Sequence, residues 1–476
     1  MLSKKQTTVQ IRRKGSMNYT DFLQAKESVS QLHGFKPLRI PDYLFDFQKA
    51  LTEWSIRKGR TAIFADCGLG KSVMELVWAT NVVQKTHGRV LLLTPIAVGT
   101  QMIEEAVKFG IDDVKRSRDG SLKSKIVVAN YERLHYFDPN DFTGIVCDEA
   151  GCLKAFAGVT RKNVNIFTRK IKYRLLATAT PAPNDFIELG TTSEALGQLR
   201  YMDMLEKFFK NDQNNIDMKK YGGRWMTVKN VWRLKRHAHE SFWRWVTSWS
   251  RSVRKPSDLG FDDDGFILPK LLEVEHELDV TRKKKRSLFV FPASGLKEVQ
   301  EERRATIQER CEAVAKIANC TNTFVVAWCN LNLEGDLLEK IIPDAVQVCG
   351  SDSDEAKEEK LVAFSKGKIR VLITKPKIGG FGLNWQHCHR VTFFPNYSYE
   401  QYYQTVRRCW RFGQKSPVTV DLIYTRGDRN VIRNLRRKQQ QADNMFTSIV
   451  REMNNSLNIR QELTKFDQET EIPKWI

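Results

Sequence analysis

Thr61-Ala62-Ile63-Phe64-Ala65-Asp66-Cys67-Gly68-Leu69-Gly70-Lys71-Ser72 is the stretch on which the fold turns. Thr61–Ala65 is short and continuously apolar, as expected for a strand buried on both faces of a parallel sheet. The glycines after it let backbone N–H groups wrap an anion, and a helix-like segment opens at Lys71-Ser72. Its N-terminus adds the positive end of the helix dipole. The pattern Ala65-x-x-Gly68-x-Gly70-Lys71-Ser72 therefore predicts a nucleotide phosphate loop spanning Asp66, Cys67, Gly68, Leu69, Gly70, Lys71 and Ser72. Lys71 would reach the β/γ-phosphates and Ser72 would ligate Mg²⁺.

Outward from this loop the same rhythm repeats. Apolar runs at Arg89–Thr94, Lys125–Ala129, Gly144–Cys147 and Tyr173–Ala177 alternate with segments that supply crossover helices. A second series lies at Phe324–Trp328, Ala345–Val348, Arg370–Thr374, Arg390–Phe394 and Val418–Ile423. This predicts two α/β doubly wound domains, at 41–199 and 281–440. A 1–40 extension precedes them, and a 441–476 tail reads as polar, its last dozen residues as disordered. Residues 200–280 read as a helical, Trp-rich basic insert, with Trp225, Trp232, Trp243, Trp245 and Trp249. One amphipathic helix is expected over Leu296–Ala318.

Lys and Arg number 77 against 56 Asp and Glu, a net charge of +21 over 476 residues. That excess favours polyanions through phosphate contacts and counterion release, although a generally basic surface has the same sum. Nine cysteines without a CxxC pair argue against a disulfide framework and for a reducing cytosol. His387-Cys388-His389 has the spacing of no common zinc module. No apolar run approaches the roughly 20 residues of a membrane span, and no apolar signal core is found after the N-terminus.

Val146-Cys147-Asp148-Glu149-Ala150-Gly151 ends a strand with two carboxylates, which would face the ligand crevice. Asp148 can hold Mg²⁺ through water, and Glu149 can orient or deprotonate an attacking water. A surface Asp-Glu pair is the plain alternative. In Leu176-Ala177-Thr178-Ala179-Thr180-Pro181 the hydroxyls of Thr178 and Thr180 could sense a γ-phosphate, or simply cap a turn. Gly379-Gly380-Phe381-Gly382-Leu383-Asn384 allows close backbone approach. In Gln404-Thr405-Val406-Arg407-Arg408-Cys409-Trp410-Arg411-Phe412-Gly413-Gln414, residues Gln404, Arg408 and Arg411 share one helical face, as a cleft-crossing arginine finger requires.

In order and content these pieces resemble the superfamily-two helicases, and within them the Snf-type ATP-dependent DNA translocases. Phe47-Gln48, Thr94-Pro95 with Gln101, Asn130-Tyr131-Glu132, Lys154 and Asn184 extend the likeness over about residues 40–200 and 280–425. The resemblance implies two RecA-like parallel-sheet domains in tandem and hydrolysis of ATP with Mg²⁺ between them. It implies movement on nucleic acid, most often double-stranded DNA. Gln48 would read adenine, and Arg408 and Arg411 would act in trans on the phosphates. Thr178, Thr180, Gly380, Gly382 and Gln404 would couple the lobes, and Thr94, Tyr131 and Asn384 would lie toward the nucleic acid. Gly151 and Trp410 stand where the family commonly has His, which removes polar links between hydrolysis and closure.

The compact lobes suggest a bacterial or phage source and a cytoplasmic location, with the insert or tail open to a protein partner. The Trp-rich stretch is read as core first and as a base-stacking wedge second. A strand-separating DNA or RNA helicase, an ATP-switched binding protein and a scaffold without hydrolysis remain open.

Overall fold

The computed structural model describes residues 33–154, 158–211, 218–221, 224–227, 232–280, 296–380 and 383–469. The chain is α/β, with two large sheets that are parallel throughout. The first contains β1 (Arg60–Ala65), β2 (Arg89–Thr94), β3 (Val114–Arg116), β4 (Ile126–Asn130), β5 (Phe142–Cys147), β6 (Tyr173–Ala177) and β7 (Ser250–Val253). Their spatial order is β7-β1-β6-β5-β2-β4-β3. The second contains β8 (Leu271–Leu278), β9 (Val325–Trp328), β10 (Ala345–Val348), β11 (Val371–Thr374), β12 (Arg390–Phe393) and β13 (Val418–Thr425), ordered β8-β13-β12-β9-β11-β10. In each sheet the central strands are buried along nearly their whole length, which is why they read as unbroken apolar runs.

Six helices frame the cleft and the cores beside it: α1 (Asp46–Lys58), α2 (Lys71–Thr86), α3 (His239–Trp249), α4 (Asp354–Ser365), α5 (Tyr399–Cys409) and α6 (Arg429–Glu469). The Asp66–Ser72 loop and the Asp148-Glu149 pair both leave carboxyl ends of strands in the first sheet, where open α/β sheets form their ligand crevice.

Three expectations need correction, while the tryptophans bear out the core reading. Residues 200–280 are not one helical insert, because β7 completes the first sheet beside β1 and β8 runs parallel to β13 in the second. Phe209–Asn211 also pairs antiparallel with Trp232–Leu234. The side chains of Trp243, Trp245 and Trp249 are buried with Phe242 in the core of the first sheet, so they are packing residues there; the Trp225 side chain lies outside the described residues. Leu296–Ala318 is two helices, Leu296–Ala305 and Ile307–Asn319, divided at Thr306. Finally, the 440/441 boundary falls inside α6, whose Ile432 and Leu435 join the second core while Met445, Phe446 and Ile449 join the first. The 1–40 extension is described only from His33, and residues 470–476 of the tail lie outside the described residues. Among the described residues no helix is long and apolar enough to cross a membrane.

Candidate functional site

The loop after β1 takes its shape from two glycines in the left-handed region, Gly68 at φ +92° and Gly70 at φ +75°, where a β-carbon is strained. Gly70 caps α2 and no side chain caps that helix start, which suits its first amides to an anion. The Lys71 ammonium donates to the Ala65 carbonyl at 3.0 Å, folded back along the loop. Gln48 on α1 braces the loop from outside: its amide donates to the Leu69 carbonyl at 2.9 Å and accepts from the Phe45 N–H at 3.1 Å. A β-carbon on Gly70 would collide with that amide.

Asp148 and Glu149 come directly after β5 and are buried. The Asp148 N–H bonds the Leu93 carbonyl at 2.9 Å, and the Tyr131 hydroxyl donates to the Asp148 carbonyl at 2.7 Å. Glu149 holds a left-handed backbone at φ +50°, uncommon without glycine, and its Oε2 is buried without a hydrogen-bond partner. Burial, then the Glu149 charge, pushes the Asp148 carboxyl up to about 7 against the opposing pull of Lys71. Beside them lies Glu75 on α2, fully enclosed and within hydrogen-bonding reach of the Asp148 carboxyl. Burial and the neighbouring Asp148 hold it well above the usual carboxylate range. Glu75 was not among the expected residues. Its signal is a lone charge inside the apolar run Val73-Met74-Glu75-Leu76-Val77, one helical turn from Lys71.

The second sheet supplies the other wall through α5. Tyr403 donates its hydroxyl to Asp66, Arg407 pairs with the same carboxylate, and Glu400 pairs with Lys154. The Gln404 amide reaches the Thr180 hydroxyl at 3.5 Å, and the Thr178 hydroxyl accepts from the Thr180 N–H at 3.1 Å. Arg408 is bound to its own lobe, at 3.1 Å from the Gln404 carbonyl and 3.2 Å from that of Leu383, with its far nitrogen 3.9 Å from the Cys67 sulfur. Arg411 donates to Leu383 at 3.4 Å, and its Nε is buried without a partner. Arg408 and Arg411 thus face the loop, Arg408 with a weak bond to the Cys67 sulfur, but the arginine that makes an ion pair across the cleft is Arg407.

The residues expected to face nucleic acid are not alike in exposure. Thr94 is wholly buried at the end of β2, so it presents no surface, and the Tyr131 hydroxyl is already engaged beneath Asp148. Asn384 is exposed. Gly380 is buried where a β-carbon would strike the Pro376 carbonyl, and Gly382 lies outside the described residues. Between the lobes a cavity of about 300 Å³ is bordered by Pro95, Tyr131 and Glu149 on one side and Gly350, Lys357 and Lys377 on the other. Glu358 of α4 bridges its rim to Thr100, Arg116 and Arg118.

No protein-family model and no curated protein matches this chain.

Proposed function

We propose that this chain is an ATP-driven nucleic-acid motor of the superfamily-two, Snf type, with two RecA-like lobes that translocate on double-stranded DNA. The observation that carries the reading is α5, which lays Tyr403, Gln404, Arg407 and Arg408 against the phosphate loop and the Thr178–Thr180 turn of the other lobe. A loop shaped for phosphates, with arginines from a second domain beside it, is what phosphoryl transfer in an interdomain cleft requires. Lys71, Arg408 and Arg411 match a polyphosphate in charge. The orphaned oxygen of Glu149 beside Asp148 fits a site that expects a further polar group.

In this reading Lys71 and the loop amides bind the phosphates, and Gln48 reaches the adenine only by exchanging one of its present bonds. Ser72 and Asp148 would hold Mg²⁺, which supplies charge neutralisation when bound. Glu149 orients the attacking water and takes its proton, and Arg408 and Arg411 stabilise charge developing on the transferred group. The +21 net charge and the exposed Asn384 support a polyanionic track across the lobes.

The test is steady-state ATP hydrolysis with no polymer, single-stranded DNA, duplex DNA and RNA, with Lys71→Ala as control. Stimulation by duplex DNA is expected, and displacement of a triplex strand would then report translocation. Stimulation by RNA or single strands alone points to a strand-separating helicase. Absence of Lys71-dependent turnover overturns the motor and leaves a scaffold.

A further inference from the structure

Asp66 is the loop's own carboxylate, and both of its oxygens are taken by the opposite lobe. The Tyr403 hydroxyl bonds Oδ1, which also accepts the Cys67 N–H at 2.6 Å, and the Arg407 guanidinium bonds Oδ2. Tyr403 and Arg407 are one helical turn apart on α5 and point the same way. Arg407 is enclosed on every side: its Cζ lies 4.3 Å from the Trp410 ring and 5.3 Å from that of Tyr403, and Nη1 donates to the Trp410 carbonyl at 3.2 Å. The Trp410 indole is in turn fixed on the Pro269 carbonyl at 2.6 Å. A little further along the chain, the Phe412 N–H stands 2.8 Å from where a Gly68 β-carbon would be, so loop and arginine segment meet backbone to backbone.

A buried ion pair of this kind adds little net stability, but losing one partner strands a charge, so it specifies an arrangement. Arg408 reaches across the cleft only through a long 3.9 Å contact to the Cys67 sulfur, and the other bonds of Arg408 and Arg411 go to Gln404 and Leu383 of their own lobe. We infer that Arg407, with Tyr403 and Asp66, is an interlobe clasp that positions Arg408 and Arg411 over the phosphate loop. The role rests on the motor reading for its catalytic consequence. Arg407 is a positioning residue, acting through its neighbours.

Two measurements separate the clasp from that reading. Hydrogen exchange of the nucleotide-free full chain reads the contact without turnover. Arg407→Ala should speed exchange over residues 66–72 and 399–409 by about tenfold, while amides of β4 and β9 stay as they are. Steady-state kinetics with ATP then read the consequence. Arg407→Ala should lower kcat by roughly 10- to 100-fold with KM changed less than about threefold, and Arg407→Lys should recover part of the loss. Asp66→Asn combined with Arg407→Ala should cost no more than the worse single change, because both act through one contact. Tyr403→Phe, which removes a single hydroxyl, gives the same direction in a chain that keeps its fold. Unchanged loop exchange in both variants overturns the clasp, as does a rise in KM with kcat intact or a double variant whose losses multiply. Exchange that responds in a protein without any ATP turnover keeps the clasp and sinks the motor.

Discussion

The carboxylate of Glu400 stands 2.9 Å from where a β-carbon on Gly151 would lie, and it pairs there with Lys154. Glu400 comes from α5 in the second lobe, whereas Gly151 and Lys154 come just after the Asp148-Glu149 strand end in the first. The missing side chain at Gly151 is therefore matched by a charged group arriving from across the cleft. A cross-lobe link exists at this point, made by the Glu400 and Lys154 side chains.

Breaking that link should weaken the response to polymer. Glu400→Gln and Lys154→Met should each lower nucleic-acid-stimulated turnover, and a double-mutant cycle should return a coupling of about 1–3 kcal/mol. Additive losses would show that the two side chains do not act as a pair. Gly151→Ala displaces only the end of a flexible side chain, so its effect should be the mildest of the three.

If Glu149 takes the proton of the attacking water, as proposed, removing it should separate binding from cleavage. Glu149→Gln is isosteric and keeps the left-handed backbone position, so ATP should be retained and left uncleaved. Arg411→Ala should lower kcat by roughly 10³-fold while changing ATP affinity far less. Single-turnover kinetics with nucleotide-binding titrations check both. Near-normal hydrolysis in Glu149→Gln would end the assignment of the base.

Much of this was legible because burial on both faces leaves a plain mark: Thr61–Ala65, Arg89–Thr94 and Tyr173–Ala177 are continuous apolar runs, and each is a central strand of the first sheet. The glycines at 68 and 70 were legible for a related reason, since only glycine takes those turns easily. The edge strands β7 and β8 were not. Ser250–Val253 carries Ser and Arg beside a Trp-rich helix, and Leu271–Leu278 alternates with Glu and His within charged sequence, so neither stands out as an apolar run. Choosing Arg407 over Arg408 as the residue that crosses the cleft depends on the rotation of α5 about its axis. Sequence spacing alone does not set that rotation.

Asp148 links activity and stability with opposite signs. Its carboxyl is raised from 3.8 to about 7, so the folded, ligand-free state holds the proton more tightly than the unfolded chain. The stability tied to this group is therefore fully present below pH 3.8 and is lost as pH rises through about 7. Asp148→Asn removes the buried charge. In chelator, its melting temperature should exceed wild type at pH 8 (~2–4 °C per kcal/mol), with a clearly smaller gap at pH 5. Turnover with Mg-ATP should be lost. An equal gap at both pH values would mean that Asp148 ionises normally in the fold.

Helix α6 is a further tie between the lobes, and it makes a stability prediction of its own. Its apolar residues fall three and four apart within polar sequence, placing Ile432 and Leu435 in one core and Met445, Phe446 and Ile449 in the other. Between them, Lys438 donates to Asn184 at 2.8 Å, and Asp443 accepts from Arg254 at 2.8 Å. The Arg254 guanidinium lies 4.1 Å from the Phe446 ring. Phe446→Ala leaves a void in the first core and exposes that guanidinium, and should destabilise the chain by about 3–5 kcal/mol. Truncation after Gln440 should cost more, since it also removes Met445 and Ile449 from beside α3. Denaturant unfolding tracked by tryptophan fluorescence reads this directly, because Trp243, Trp245 and Trp249 belong to the same core. If the segment were only a polar appendage, both variants would unfold at the wild-type midpoint. A shift confined to the first lobe's transition is what a helix anchored in both cores requires.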